Sequence, residues 1–416
     1  MLSEVKKGVR TSSSLWLALV PLLFACFIYG QSLDFHFVNW DDPSHVYSNR
    51  AVVAPESISF SERWYPKHLG YPMPLTILSY RIDAYFHGPN SKKVFHLQQG
   101  KGYHQTNLLL FGLLLLGLFG LLKFLFSSSF YASLGTSLFS IHPVSVESVC
   151  WISGRKDLLI ALFSIYALWF WLLFLRTDRP LRFLFGSLFF TGLAMLSKPN
   201  AIYILPMMFF SLLFWSPKEK KTGLLGWGIL GGNGVLGILL VYLSWLGQSG
   251  VGAITKTNGF WESSRLVLWS LGYHVTLWFY PEHLTPSHTS YPGTLLERYD
   301  VIAFIFIILW IVLFWLTYKK WKCVAFGLLF FLAAYLPNSN IIPLNRFIAE
   351  TYLFVPQIGF IILLLESLRQ MHRVLQEKWM LFLAGGLVCL VFGFLAFHSY
   401  QQTKHWKNSE SLWLLA

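Results

Sequence analysis

The sequence predicts an all-α polytopic membrane protein of about eleven transmembrane helices with a large first outer loop. Three observations carry that prediction. Of 416 residues, 55% are hydrophobic and only 12% are charged, whereas a soluble domain carries about 25% charged residues. Phe, Trp and Tyr make up 18% of the chain, a composition that excludes disorder. Apolar runs of about the 20 residues needed to cross a bilayer recur along the whole chain. The net charge of +13 comes from basic residues that flank those runs, where they anchor topology against anionic lipid. No basic stretch carries a nucleic-acid-binding motif, so a nucleic-acid partner is not expected.

Taken in order, the expected spans are 14–30, 105–126, 129–149, 158–175, 182–197, 200–215, 223–247, 301–317, 322–337, 348–367 and 379–398. The first follows Lys6, Lys7 and Arg10 and has no small-x-small cleavage site after Tyr29-Gly30, so it reads as a retained helix with a cytoplasmic N-terminus. Basic connections at 176–182, 218–221, 319–322 and 369–373 read as cytoplasmic. Alternation then requires 264–280, with Arg265 and His274, to be an interfacial or re-entrant helix. The polar segments 31–104, 142–157, 197–200, 281–300 and 337–350 fall together on the outer face, with the C-terminus also outside. The four cysteines (Cys26, Cys150, Cys323, Cys389) form no C-x-x-C pattern and do not reveal a redox compartment. The absence of an N-x-Ser/Thr acceptor points toward a bacterial inner membrane with the active face to the periplasm, or the endoplasmic reticulum membrane in a eukaryote.

Four of these segments hold residue types suited to chemistry. Asn39-Trp40-Asp41-Asp42-Pro43 pairs two acids beside an apolar run. A carboxylate there can act as general base toward a hydroxyl, and the same residues suit a tight turn. Residues 141–157 cluster His142, Glu147, Arg155, Lys156 and Asp157 between two spans. Arg and Lys together suit a phosphate, while Gly154 and Asp157 also suit a helix break and cap. His142 and Glu147, five apart, fall on different faces of an ideal helix and make no zinc pair. Lys198 in Ser197-Lys198-Pro199-Asn200 is either a second phosphate contact or a lysine reaching for the interface. Residues 336–352 bring Arg346, Glu350 and Tyr352; Glu350 begins the 348–367 span, where an acid needs a partner such as Arg346. In the 281–300 loop, His283, Pro286, His288, Tyr291 and Pro292 suit loop packing, sugar stacking or a metal. Gly226-Trp227-Gly228-Ile229-Leu230-Gly231 formally matches G-x-G-x-x-G, but it lies in an apolar run with no βαβ unit and reads as a close-packing helix face.

Together, Asn39-Trp40-Asp41-Asp42-Pro43, Ile141-His142-Pro143-Val144-Ser145-Val146-Glu147 with Trp151-Ile152-Ser153-Gly154-Arg155-Lys156-Asp157, Leu196-Ser197-Lys198-Pro199, and Leu336-Pro337-Asn338-Ser339-Asn340-Ile341-Ile342-Pro343 with Ala349-Glu350-Thr351-Tyr352 resemble one family. They are similar, in order over 37–410, to the transmembrane and tetratricopeptide-repeat O-mannosyltransferases and their bacterial relatives. The resemblance implies a GT-C glycosyltransferase that moves a sugar, such as mannose, from a polyprenyl-phosphate carrier to a hydroxyl acceptor (protein or glycan) on the outer face, with inversion. It implies that Asp41 or Asp42 is the catalytic base and that Arg155, Lys156, Lys198 and Arg346 face the donor phosphate. His142, Glu147, Asp157, Glu350 and Tyr352 would support them. No cofactor is implied with certainty, though a carboxylate pair can hold a divalent metal. The family pattern has Arg where this chain has Thr351; if that Arg contacts the donor, Arg346 must take its place. On this reading 1–398 form the transmembrane domain, and 399–416 look like the junction into tetratricopeptide repeats. The alternative function is a lipid or polyprenyl-phosphate flippase that uses the same basic residues.

Overall fold

The computed structural model describes residues 12–87, 100–176, 180–215, 220–254, 259–282, 284–288, 296–374 and 378–414. The apolar runs fold as helices, the form in which a chain in lipid satisfies its own backbone. They are α1 (Ser12–Tyr29), α2 (Pro74–His87, inside the first loop), α3 (Lys101–Phe126), α4 (Ser129–Ile141), α5 (Arg155–Arg176), α6 (Pro180–Ser197), α7 (Ile204–Trp215), α8 (Lys220–Gly250), α9 (Phe260–Phe279), α10 (Arg298–Thr317), α11 (Lys322–Tyr335), α12 (Gln357–Val374) and α13 (Lys378–Thr403). Among the described residues the only β pairing is an isolated bridge between Ile254 and Leu344.

Among the described residues six helices are long and apolar enough to cross a membrane, and three shorter apolar helices, Leu181–Ser197, Pro199–Trp215 and Lys322–Asn338, stand beside them. The protein is a multi-pass membrane protein. α10 and α13 leave large apolar side chains exposed, among them Ile308, Trp315, Phe382 and Phe394; such faces suit lipid.

Two expected spans end differently. The 129–149 run stops at Ile141, because Pro143 forces His142 into an extended conformation (φ −74°, ψ 129°). Short turns then carry the chain through Pro143–Ser145, Val146–Cys150 and Ile152–Gly154 to the start of α5. The 348–367 run instead makes a turn at Thr351–Phe354 before α12 begins at Gln357, just past Pro356. Glu350 therefore stands at a helix-breaking rim and not at the head of a long span.

Side-chain contacts define two ends. At one, Arg176 closing α5 lies over Phe124 near the end of α3 (4.4 Å) and over Trp215 closing α7 (5.8 Å), and Lys322 opening α11 donates to the Phe214 carbonyl (2.8 Å). Of the basic residues in the connections expected to be cytoplasmic, Arg176 and Lys322 meet here. Lys6, Lys7, Arg10, residues 177–179 and residues 218–219 lie outside the described residues. At the other end Tyr29 donates to the Ser140 carbonyl (3.0 Å), Thr76 to the Ser197 carbonyl (2.8 Å) and Ser399 to the Ile141 carbonyl (2.6 Å). α9 belongs to that second end along its length. Arg265 reaches Asp300 at the head of α10 (3.4 Å), His274 bonds the Ala349 carbonyl (3.2 Å), and Trp278 accepts from His142 (3.0 Å). The crossing is tight at Gly272, where any side chain would collide with the Tyr299 carbonyl. Of the glycines in the 226–231 match, Gly226 packs closely, with Trp171 3.3 Å from its Cβ position, whereas Gly228 and Gly231 have nothing within 4 Å.

Candidate active site

The polar segments converge at the second end around an open cavity of about 600 Å³. Asp41, Lys156, Asp157, Lys198, Arg346 and Tyr352 line it. Apolar side chains, including Ile202, Val241, Trp245, Ile254 and Leu344, line it as well.

The two acids of the first loop diverge. The Asp41 side chain is 42% exposed and stands 3.7 Å from the Lys156 ammonium. Asp42 is 1% exposed. Its carboxylate accepts from the Ser153 amide (3.0 Å), the Ser153 hydroxyl (2.5 Å) and the Val38 amide (2.9 Å), which fastens the 38–42 turn to the turn before α5. Burial pushes the Asp42 carboxyl up to about 6, against the pull of those hydrogen bonds. At Asp41 burial also raises the pKa, but Lys156, with Arg346 and Lys198, outweighs it and holds the carboxyl below its ordinary value. Burial, with Lys156 next, pushes neighbouring His45 down to about 3, so it is neutral. With Asp42 committed to Ser153 and Val38, the two carboxylates do not present a joint donor set to a divalent metal. Among the described residues no group of three or more His, Cys, Asp or Glu side chains could hold one.

Arg155 and Lys156 also separate. Lys156 is 6% exposed; its ammonium lies 4.4 Å over the Trp151 ring and makes no hydrogen bond among the described residues. Arg155 is fully buried and does not line the cavity. It pairs with Asp83 (2.5 Å), donates to Asn107 (2.7 Å) and the Tyr103 carbonyl (2.9 Å), and stacks 4.7 Å over Tyr80. The expectation that it faces the donor phosphate is therefore replaced by a role in locking α2 and α3 to α5. Neighbours on a helix point about 100° apart at 3.6 residues per turn, so one basic residue meets the cavity and the other the core.

Lys198 pairs with Asp157 (2.9 Å), which leaves both on the cavity wall. Arg346 pairs with Glu147 (2.6 Å) and donates to the Pro286 carbonyl (2.9 Å); Glu147 also accepts from the Thr351 amide (3.2 Å). Glu350 is not the partner of Arg346: it takes His288 (3.1 Å) and the Thr285 amide (2.9 Å). His288 thus serves loop packing, held also by the Tyr273 hydroxyl (3.0 Å). Burial first, then Arg346, pushes it down to about 4. Tyr352 donates to the Arg346 carbonyl (2.6 Å) and fixes that turn. His142 donates to the Trp278 carbonyl (3.0 Å) and stacks on its ring at 5.4 Å, away from the cavity lining. His283, Tyr291 and Pro292 lie outside the described residues.

The reading from sequence missed Trp40 and Trp151, whose rings face Arg346 at 5.7 and 5.9 Å. It also missed Asn200 and Asn338, joined at 2.7 Å on the cavity wall. Asn107, an amide near the start of the 105–126 run, was a visible signal: it holds Arg155.

Residues 96–245 match the dolichyl-phosphate-mannose-protein mannosyltransferase family. Protein O-mannosyl-transferase TMTC4 of Homo sapiens is 24% identical over 95% of this chain and 61% of its own length. Protein O-mannosyl-transferase TMTC1 of Homo sapiens is 26% identical over 93% of the chain and 49% of its own. Over most of its length this chain is similar to protein O-mannosyl-transferases. Mouse TMTC1 is 30% identical over 48% of the chain and 22% of its own length, so the chain spans about three fifths or less of these relatives. The all-α, multi-pass architecture agrees with the GT-C class expected for such transferases.

Proposed function

We propose that the protein is an inverting membrane glycosyltransferase that moves a sugar, mannose by analogy with its relatives, from a polyprenyl-phosphate carrier to a hydroxyl acceptor on the extracytoplasmic face. The observation that carries this reading is one cavity lined both by Asp41, Lys156, Lys198 and Arg346 and by apolar side chains that suit a lipid chain. In the transfer, Asp41 takes the proton of the acceptor hydroxyl, whose oxygen attacks the anomeric carbon. The bond from that carbon to the phosphate oxygen breaks, and the lipid phosphate leaves with the electron pair. Lys156 is the cation without a hydrogen bond of its own, so it is placed to meet the phosphate charge. Lys198 and Arg346 share theirs with Asp157 and Glu147. Fixed charges in a water-poor site stabilise such a leaving group strongly. Thr351 offers its amide to Glu147, which holds Arg346. The shared carboxylate supports Arg346 as the residue that takes the role of the arginine the family pattern has at position 351.

The test is Asp41→Asn in the full chain, with sugar transfer from a lipid-linked donor measured. Loss of about 10²–10⁴ in kcat is expected for removal of a general base, and undiminished turnover excludes Asp41. A flippase using the same cations would relocate the donor intact, so appearance of free lipid phosphate separates the two functions.

A further inference from the structure

We infer that residues 406–413, which follow α13, are a positioning clamp for the Asp41 turn; the inference rests on the reading of Asp41 as the base. The tail returns to the cavity rim and takes hold of the chain just before that acid. The His36 amide donates to the Lys407 carbonyl (2.9 Å). The Asn39 amide donates to the Ser409 hydroxyl (3.0 Å), and the Trp413 indole N–H donates to the Asn39 side-chain oxygen (2.6 Å). Trp413 sets its ring edge-on to Trp40 at 5.3 Å, and Trp406 stacks on Trp151 at 5.7 Å.

Those two rings carry the cations. Trp151 lies under the Lys156 ammonium, and Trp40 and Trp151 both face Arg346. Each tryptophan that meets a cavity cation is thus backed by a tryptophan of the tail. The tail is itself ordered by a capping box between Asn408 and Ser411, and by Trp406 and Leu412, which are 3% and 0% exposed. Asp41 has no such restraint on its carboxylate: its contact with Lys156 is long. Backbone bonds to the Asp41 carbonyl come from within the same turn. The turn's orientation is therefore set by Asp42 on one side and by the tail on the other.

The experiment uses Trp413→Ala, at a half-exposed position chosen to spare folding, and Trp413→Phe, which keeps a ring against Trp40 but lacks the N–H. Transfer kinetics and amide exchange over residues 38–45 are measured on the full chain in lipid nanodiscs. Misplacement of the base by a fraction of an ångström is expected to lower kcat on the order of tenfold to a hundredfold. KM for the lipid-linked donor should stay within about threefold, since the donor contacts remain. Exchange over 38–45 should quicken, and Trp413→Phe should fall between wild type and Trp413→Ala. Wild-type kcat and wild-type exchange in Trp413→Ala combined with Ser409→Ala overturn the clamp. A fall in donor affinity with kcat unchanged also overturns it. If Asp41→Asn keeps full turnover while the tail variants lose it, the base assignment fails and the clamp acts on another group.

Discussion

At the scale of single residues, the chemistry turns on how neighbours in sequence are divided between water and core. Asp41 and Asp42 are adjacent, yet one faces Lys156 across the cavity and the other is sealed against Ser153. Their acidities diverge in consequence, and the pH dependence of kcat/KM distinguishes them. A base works deprotonated, so activity is lost as pH falls through its pKa in the free enzyme. With Asp41 as base, held below the ordinary carboxylate value by its cations, activity persists as pH falls through the range where a free carboxylate would protonate. An acid limb near 6 would assign the proton transfer to Asp42 instead. The sequence could name the pair but could not choose between its members, because the choice depends on which carboxylate meets the turn at 151–154. That turn is 111 residues away from Asp42.

At the scale of elements, α5 is the hub. Its first turn presents Lys156 to the cavity and Arg155 to the core, and Arg155 gathers Asp83 and Ser79 of α2 with Tyr103 and Asn107 of α3. The start of α5 depends on Gly154, where a Cβ would stand 2.8 Å from the Ser148 carbonyl oxygen, a backbone atom that cannot swing aside. Two substitutions separate the roles of the neighbours. Arg155→Met leaves Asp83 buried without its cation and should cost about 3–5 kcal/mol of stability, read as a fall in the thermal midpoint in nanodiscs. Lys156→Met should leave that midpoint nearly unchanged and lower kcat on the order of 10²–10³. The reverse pattern would return Arg155 to the phosphate. The Arg155-Lys156 string stood out in the sequence because two cations beside an outer turn run against the positive-inside trend. Their division of labour was not legible, since it follows from the helical phase at which α5 enters the bundle. The exchange of partners among Glu147, Arg346 and Glu350 was hidden for a related reason. Arg346 and Glu350 are close in sequence, but each finds its side-chain partner in a distant segment.

At the scale of the whole molecule, hydropathy sufficed to predict a helical bundle in a membrane. It also identified α9 as a helix confined to one end, because a charge-balanced alternation of basic connections leaves it no crossing. Hydropathy overestimated the run beyond Ile141 and misplaced the start of α12, since prolines cut helices without changing apolarity. The gathering of 37–43, 151–157, 197–200 and 336–352 about one cavity was anticipated from their common side. The tail's return to Asn39 was not, as it rests on one indole and one hydroxyl. One feature of the cavity reaches beyond the protein. Part of its lining is a single helix, α8, whose Val241, Ser244 and Gln248 line the interior while Leu239, Tyr242 and Leu246 are exposed. A lipid-borne substrate reaches such a chamber sideways, within the plane of the leaflet. Turnover should therefore track donor per unit membrane area and not donor per millilitre. Diluting a fixed amount of donor about tenfold with inert phospholipid, at constant volume, should slow a subsaturated enzyme by about the same factor.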